Sequence, residues 1–273
     1  TAGLEAACTA AEVGCNTFLL EKGSELGGLA SLISKIPAKN RLADFPHYLM
    51  HRAEQLENLY IFTNTEGTPE NIRKFHPNII VSSTGSAPLL PPIAGLKDRI
   101  DNENHNIYSI LGMINHINDF PKDLEGKKVV VVGGGAVGLD VVEFFADRNA
   151  DISIVEMMDQ IGRDLDPVSK NDTKAMMKKH NVHQLTKTAL LEVKDSSFLV
   201  KGDGEPYELP FEYGFVCLGM RAQGQLYQNL TEEFSSEDVE IMNIGDSQRA
   251  RRIIDGTQEG RNILTILEQR GYL

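Results

Sequence analysis

Val129-Val130-Val131-Val132-Gly133-Gly134-Gly135-Ala136-Val137-Gly138 is the stretch that decides the fold. Four consecutive valines are short, β-branched and uncharged, which predicts a buried strand. Glycines follow directly. From Leu139 to Asn149 the apolar residues Leu139, Val142, Phe145 and Ala146 recur at three- and four-residue spacing, which predicts a helix. Asp151 to Glu156 reads as the next strand. Gly133-x-Gly135-x-x-Gly138 is a weak signal by itself. Between a strand and a helix, with Glu156 closing the following strand, it becomes a dinucleotide-binding signature. The glycines permit a tight turn and close backbone approach to a pyrophosphate. Ala136 and Val137 open the helix, whose N-terminal N–H groups and positive dipole end suit an anion. Glu156 can accept hydrogen bonds from ribose hydroxyls and would repel a 2′-phosphate. Met157 and Met158 stand where an arginine would favour NADPH, so NADH is the expected ligand. The competing reading is a glycine-rich turn with no ligand.

Working outward, the same unit recurs upstream at a constant offset of 135 residues, Gly3 over Gly138. Ala11-Glu12 falls on Ala146-Asp147, Leu19-Leu20-Glu21 on Ile154-Val155-Glu156, and Gly27 on Gly162. The glycine-to-glutamate interval is 18 positions in both copies, Gly3 to Glu21 and Gly138 to Glu156. A gapless match of this length is a duplicated strand–helix–strand unit. Thr1 aligns with Ala136, so the first strand and two glycines of this copy are expected upstream of residue 1. A chain lacking them is expected to hold its nucleotide weakly. Asn78 to Val81, leading to Ser83-Thr84-Gly85-Ser86, and Tyr213 to Cys217, leading to Leu218-Gly219, read as the last strands of the two units. Val239 to Ile244 is a further strand ending at Gly245-Asp246, and a long helical pattern runs from Ile253 to Gln269.

The expected architecture is α/β, with two Rossmann-like domains of the pyridine nucleotide–flavin reductase type, one inserted in the other. Residues 1–107 and 218–273 form the FAD-binding domain, and residues 108–217 the NAD(H)-binding domain. Gly3, Glu21, Lys22, Gly27, Gly28, Thr84, Gly85, Gly245 and Asp246 are the candidate flavin-side residues. Gly133, Gly135, Ala136, Val137, Gly138, Glu156 and Gly219 are the candidate nicotinamide-side residues.

The 273 residues suit two domains, and 41% hydrophobic with 24% charged residues is ordinary for a globular protein. A formal net charge of -12 disfavours nucleic acid and anionic membranes as partners. No stretch approaches the ~20 apolar residues of a membrane helix. Cys8, Cys15 and Cys217 include no CxxC pair, which argues against a redox dithiol or a cluster site and for buried thiols in a reducing cytoplasm. His180 and His183 lack acidic or cysteine companions for a metal. Arg249, Arg251 and Arg252 form a small basic cluster best read as salt-bridged.

Leu26-Gly27-Gly28, Lys35-Ile36-Pro37, Ser83-Thr84-Gly85-Ser86-Ala87-Pro88 and Ile244-Gly245-Asp246-Ser247 with Arg251-Arg252-Ile253 occur in order along the chain. In these motifs it resembles the C-terminal half of the 2,4-dienoyl-CoA reductase, 2-enoate reductase and trimethylamine dehydrogenase family. The resemblance implies a half that takes hydride from NADH onto FAD. It also implies a partner, an N-terminal TIM barrel of the same protein, which carries FMN, a 4Fe–4S cluster and the substrate site. None of the barrel's residues is present. Leu29 stands where the family often has glutamine after the paired glycines. In trimethylamine dehydrogenase the equivalent unit holds only ADP, so a redox-inactive nucleotide-binding domain is the alternative function. A free-standing disulfide reductase is the third, and it lacks the cysteines. A homo-oligomer is left open, and no catalytic side chain is assigned.

Overall fold

The computed structural model describes residues 1–273. The fold is mixed α/β with parallel sheets, and it divides into two compact units. Unit 1 comprises Thr1–Lys35, Lys39–Ala87 and Arg221–Leu273, and unit 2 comprises Ile36–Ala38 and Pro88–Met220.

Unit 1 opens with α1 (Ala2–Glu12), β1 (Thr17–Leu20), α2 (Gly28–Ile33), α3 (Asp44–Glu54), β2 (Leu59–Phe62), α4 (Pro69–Arg73) and β3 (Ile79–Ser82). β1 pairs in parallel with β2. Ala7, Cys8 and Ala11 of α1 pack with Ala53 and Leu59, with Leu19 against them. Small residues on this face let α1 approach the sheet and α3 closely. Arg52 on α3 ties the contact: it donates to Glu5 at 2.9 Å and to Glu12 at 2.5 and 2.7 Å. β4 (Ser86–Pro88) leads out of the unit.

Unit 2 contains α5 (Leu96–Arg99), β5 (Ile107–Tyr108), α6 (Ile110–Asn115), β6 (Lys128–Val132), α7 (Ala136–Ala146), β7 (Asp151–Val155), α8 (Pro167–Lys179), β8 (His183–Leu185), β9 (Ala189–Val193), β10 (Ser197–Lys201), β11 (Tyr207–Pro210) and β12 (Tyr213–Val216). Its sheet has five strands in the order β5-β12-β6-β7-β8, all parallel. The valine run is the central strand β6, which explains its unbroken hydrophobicity: both faces are covered. One face meets the antiparallel sheet β11-β10-β9 through Val130, Val132, Val155, Phe198, Val200 and Phe211. The other carries aromatic rings, with Phe145 centred 4.8 Å from Phe215 and 5.1 Å from Phe120. Burying each such ring is worth about 1.5–3 kcal/mol.

The chain returns through β13 (Met220–Ala222), which pairs with β4, and finishes unit 1 with α9 (Gln225–Glu233), β14 (Glu240–Asn243), α10 (Ile253–Arg261) and α11 (Ile263–Gln269). β14 lies parallel to β3. In unit 2, β6 stands between β12 and β7. In unit 1 the corresponding strands β3 and β1 belong to separate two-stranded sheets.

Three expectations are corrected. The inserted unit begins at Pro88 and not at residue 108, because Leu96, Ile100 and Ile107 are part of its core and Ala94 accepts from Val193 N–H at 2.8 Å. It ends at Met220 and not at 217. The last helical stretch is two helices, α10 and α11, meeting at Asn262. No helix is long and apolar enough to cross a membrane.

Candidate functional site

In unit 2 the site is built where β6 turns into α7. Gly133 has φ +110°, and a Cβ there would lie 2.1 Å from the carbonyl oxygen of Cys217. Only glycine can make this turn against the end of β12. Gly138 lets the helix down onto the loop, since its Cβ would sit 1.9 Å from the carbonyl oxygen of Gly133. Gly135 differs from both. Its φ is -79°, and an added Cβ would meet no protein atom within 4 Å. No protein contact requires glycine there, and the space in front of it is open. Gly135 also gives α7 no side-chain cap, whereas α6 and α8 of the same unit are capped by Ser109 and Asp166. The first N–H groups of α7, at Ala136 and Val137, therefore have no side-chain cap.

Glu156 closes this site from the end of β7. Its carboxylate accepts from the N–H of Gly134 at 2.6 Å and from the N–H of Met158 at 2.7 Å. The clamp fixes the carboxylate beside the loop and holds the loop in shape. The N–H of Gly162 donates to the Gly134 carbonyl at 2.7 Å, bracing the loop from the other side. Gly219, with φ +100°, follows β12 and faces open space, and its carbonyl accepts from Leu89 N–H at 2.9 Å. Met157 is largely exposed next to Glu156.

Unit 1 repeats the arrangement around α1. Thr1 likewise provides no side-chain cap. Gly3 packs on the loop after β3, where a Cβ would meet the hydroxyl of Ser83 at 2.2 Å. Glu21 accepts from Gly23 N–H at 2.7 Å, the same two-residue turn that Glu156 makes with Met158 at 2.7 Å. The duplication read in the sequence is thus a duplication of site geometry. Gly245 has φ +66°, and a Cβ there would lie 2.8 Å from that of Ala2. This close approach brings Asp246 to the start of α1. Asp246 accepts from the Ser86 hydroxyl at 3.1 Å and from Arg251 N–H at 3.0 Å. The carboxylates of Glu21 and Asp246 both lie close enough to Thr1, the residue before α1, to act on it electrostatically. Both acids therefore converge on the N-terminal end of α1.

The remaining flavin-side candidates separate. Gly27 is the buried left-handed cap of α2 (φ +101°), and a Cβ would strike Ser31 Oγ at 2.0 Å; Gly28 (φ +58°) faces open space. Gly85 (φ +74°) also faces open space. Thr84 spends its hydroxyl on the Gln223 carbonyl at 2.5 Å, so it shapes the loop. Lys22 is exposed to solvent.

Sequence reasoning missed Glu259, which accepts from Gly245 N–H at 2.7 Å and pairs with Arg251 at 2.6 Å as the salt-bridge reading of the basic cluster expected, and it did not assign the hydrogen bonds of Gly134, Met158 and Ser86. The 135-residue offset pairs Gly23 with Met158 and could have indicated that clamp. The Asp246–Arg251 and Gly245–Glu259 contacts span 5 and 14 positions, the Gly134–Glu156 and Ser86–Asp246 contacts 22 and 160, and no spacing rule marks any of them. The Ser82 hydroxyl at the end of β3 is buried with no hydrogen-bond partner in the protein. Cys8, Cys15 and Cys217 are free, and burial pushes the Cys217 thiol up to about 12. The residues present fit two dinucleotides: two uncapped helix starts, glycines facing empty space and a clamped carboxylate beside each.

Residues 1–242 match the family model described as pyridine nucleotide-disulphide oxidoreductase. The chain is 26% identical over 260 residues to an NADH oxidase of Thermoanaerobacter brockii, covering 95% of this chain and 38% of that protein. It is 27% identical over 297 residues to a metal reductase of Desulforamulus reducens, covering 96% of this chain and 42% of that protein. Among solved structures, a 2-naphthoyl-CoA reductase superposes with a TM-score of 0.81 at 23% identity, over 96% of this chain and 38% of the other. The chain thus spans about two fifths of the length of these relatives.

Proposed function

We propose a function from one premise: the chain belongs to the pyridine nucleotide-disulphide oxidoreductase family. It is a flavin-dependent pyridine nucleotide oxidoreductase module. In our finer reading, unit 2 binds NADH, unit 1 binds FAD, and hydride passes from the first to the second. Bound FAD would supply the hydride acceptor and a store for the electron pair.

The chain's own residues bind and orient. The N–H groups at the start of α7, with the open space before Gly135, take the pyrophosphate of NADH. Glu156, pinned by two backbone N–H groups, takes the adenosine ribose and turns away a 2′-phosphate. In unit 1 the start of α1, Glu21 and Asp246 do the corresponding work for FAD. The observation that carries the reading is the repeated carboxylate turn, Glu21 to Gly23 and Glu156 to Met158, each beside an uncapped helix.

We further propose that the electrons serve a barrel bearing FMN and an iron–sulfur cluster, which reduces an enoate or dienoyl-CoA substrate. The ordered motifs, the greater length of the relatives and the likeness to a 2-naphthoyl-CoA reductase support this assignment. The experiment is an anaerobic absorbance spectrum of the purified protein before and after NADH, followed by NADH-dependent dye reduction. Flavin absorbance that bleaches with NADH is expected. Protein that binds ADP yet carries no flavin and reduces no dye would favour the redox-inactive nucleotide-binding reading.

A further inference from the structure

We infer that the outer face of the β1–β2 sheet is a docking surface for further polypeptide of the whole protein. This rests on the reading of the chain as one module of a larger reductase. Phe18 and Tyr60 are register partners and stack at 5.2 Å, and Phe75 lies 4.6 Å from Phe18 and 5.5 Å from Phe62. The rings form one continuous cluster on the face opposite α1. Phe18, Tyr60 and Phe62 nevertheless remain 39%, 46% and 39% exposed.

The internal repeat says what such a face is built to meet. At the 135-residue offset, Phe18 and Leu20 correspond to Ser153 and Val155. In unit 2, Val155 and its register partner Leu185 face a core completed by Val193, Phe198, Val200 and Phe211. That cover is the antiparallel β9–β11 sheet, made by the chain between β8 and β12. Between β2 and β3, residues 63–78 are too short for such a sheet and supply only α4 and Phe75. Unit 1 therefore presents the same sheet face, richer in rings, without its cover.

Size decides between occupants. At ~200 Å² per ring, the three exposed rings leave roughly 250 Å² of ring surface in solvent. A stable pair of copies needs about 800 Å² per partner. Two copies, each with a net charge of -12, would also repel each other. An interface within one polypeptide can be as small as ~600 Å² in total, about 300 Å² a side. The matched region is 38% of the NADH oxidase and 42% of the metal reductase, so each carries more polypeptide outside it than within it. The occupant is accordingly an uncharged, aliphatic or aromatic face of that additional polypeptide.

The test replaces Tyr60 with photoreactive benzoylphenylalanine in the producing cell, followed by irradiation and peptide mass spectrometry. Adducts are expected on sequence related to the part of the relatives beyond the match, and adding Phe18→Ser and Phe62→Ser should abolish them. Adducts only between copies of these 273 residues would assign the face to self-association and overturn the proposal. So would a yield no higher than that of the same probe at exposed Lys201. NADH-dependent dye reduction by the Phe18→Ser, Phe62→Ser protein should match the parent. That readout tests the reductase reading separately, since dye bypasses any docked acceptor.

Discussion

The carboxylate of Glu156 accepts a hydrogen bond from the backbone N–H of Gly134 at 2.6 Å, joining the end of one strand to the glycine loop that follows its neighbour. Under the proposed function Glu156 has two tasks, reading the ribose and holding the loop, and the contact shows the second. Substitutions can separate them.

Glu156→Gln keeps an oxygen acceptor for the loop and removes the charge. A carboxylate a few Å from a 2′-phosphate at a partly exposed site costs on the order of 1 to several kcal/mol, which is tenfold or more in affinity. The parent should therefore prefer NADH by roughly tenfold or more, and Glu156→Gln should narrow the gap chiefly by improving NADPH. Titration of both dinucleotides checks this, and equal affinity in the parent would contradict it.

Gly135→Val and Gly138→Ala should fail in opposite ways. A side chain at 135 meets no protein atom within 4 Å, so the fold should persist while NADH binding is lost. A Cβ at 138 would lie 1.9 Å from the Gly133 carbonyl oxygen, so the loop or helix must shift. Overpacking of this kind costs about 1–3 kcal/mol. Thermal unfolding with and without NADH distinguishes the two.

Arg52→Met should destabilise unit 1 by about 3 kcal/mol, because it strands a buried carboxylate. The Glu5 side chain is only 3% exposed, and Arg261, 3.9 Å away, softens the loss. The hydrogen bond from Arg52 holds the Glu12 carboxyl below its usual range. Since the folded pKa is depressed, this contribution is complete above the unfolded value of about 4.3 and is lost as pH falls through the folded one. Urea midpoints between pH 7 and 3 should show an acid-side decline in the parent that is smaller in Arg52→Met.

The thiols of Cys8 and Cys217 should be inert in the folded protein. Burial pushes Cys8 up to about 11 and Cys217 up to about 12, so neither supplies thiolate at neutral pH. Iodoacetamide at pH 8 should modify half-buried Cys15 first, and Cys8 and Cys217 only after unfolding. Rapid native labelling of Cys217, read by mass spectrometry, would show that the end of β12 opens.

What the sequence by itself determined is the part carried by local pattern. The valine run, the glycine spacing and the glycine-to-glutamate interval fixed β6, α7 and β7 to within a residue or a few at each end, because periodicity and turn chemistry act between neighbours. The 135-residue offset exposed the duplication for the same reason. Tertiary structure decided what depends on distant segments meeting. Pro88 to Ile107 joined unit 2 because its apolar residues fill the core against Phe198 and Val200. Gly245 reached Ala2, placing Asp246 at the start of α1, through packing across most of the chain length. The uncovered rings of β1 and β2 carry no mark of their exposure in the sequence. Burial is a property of what lies opposite, and no local spacing encodes that.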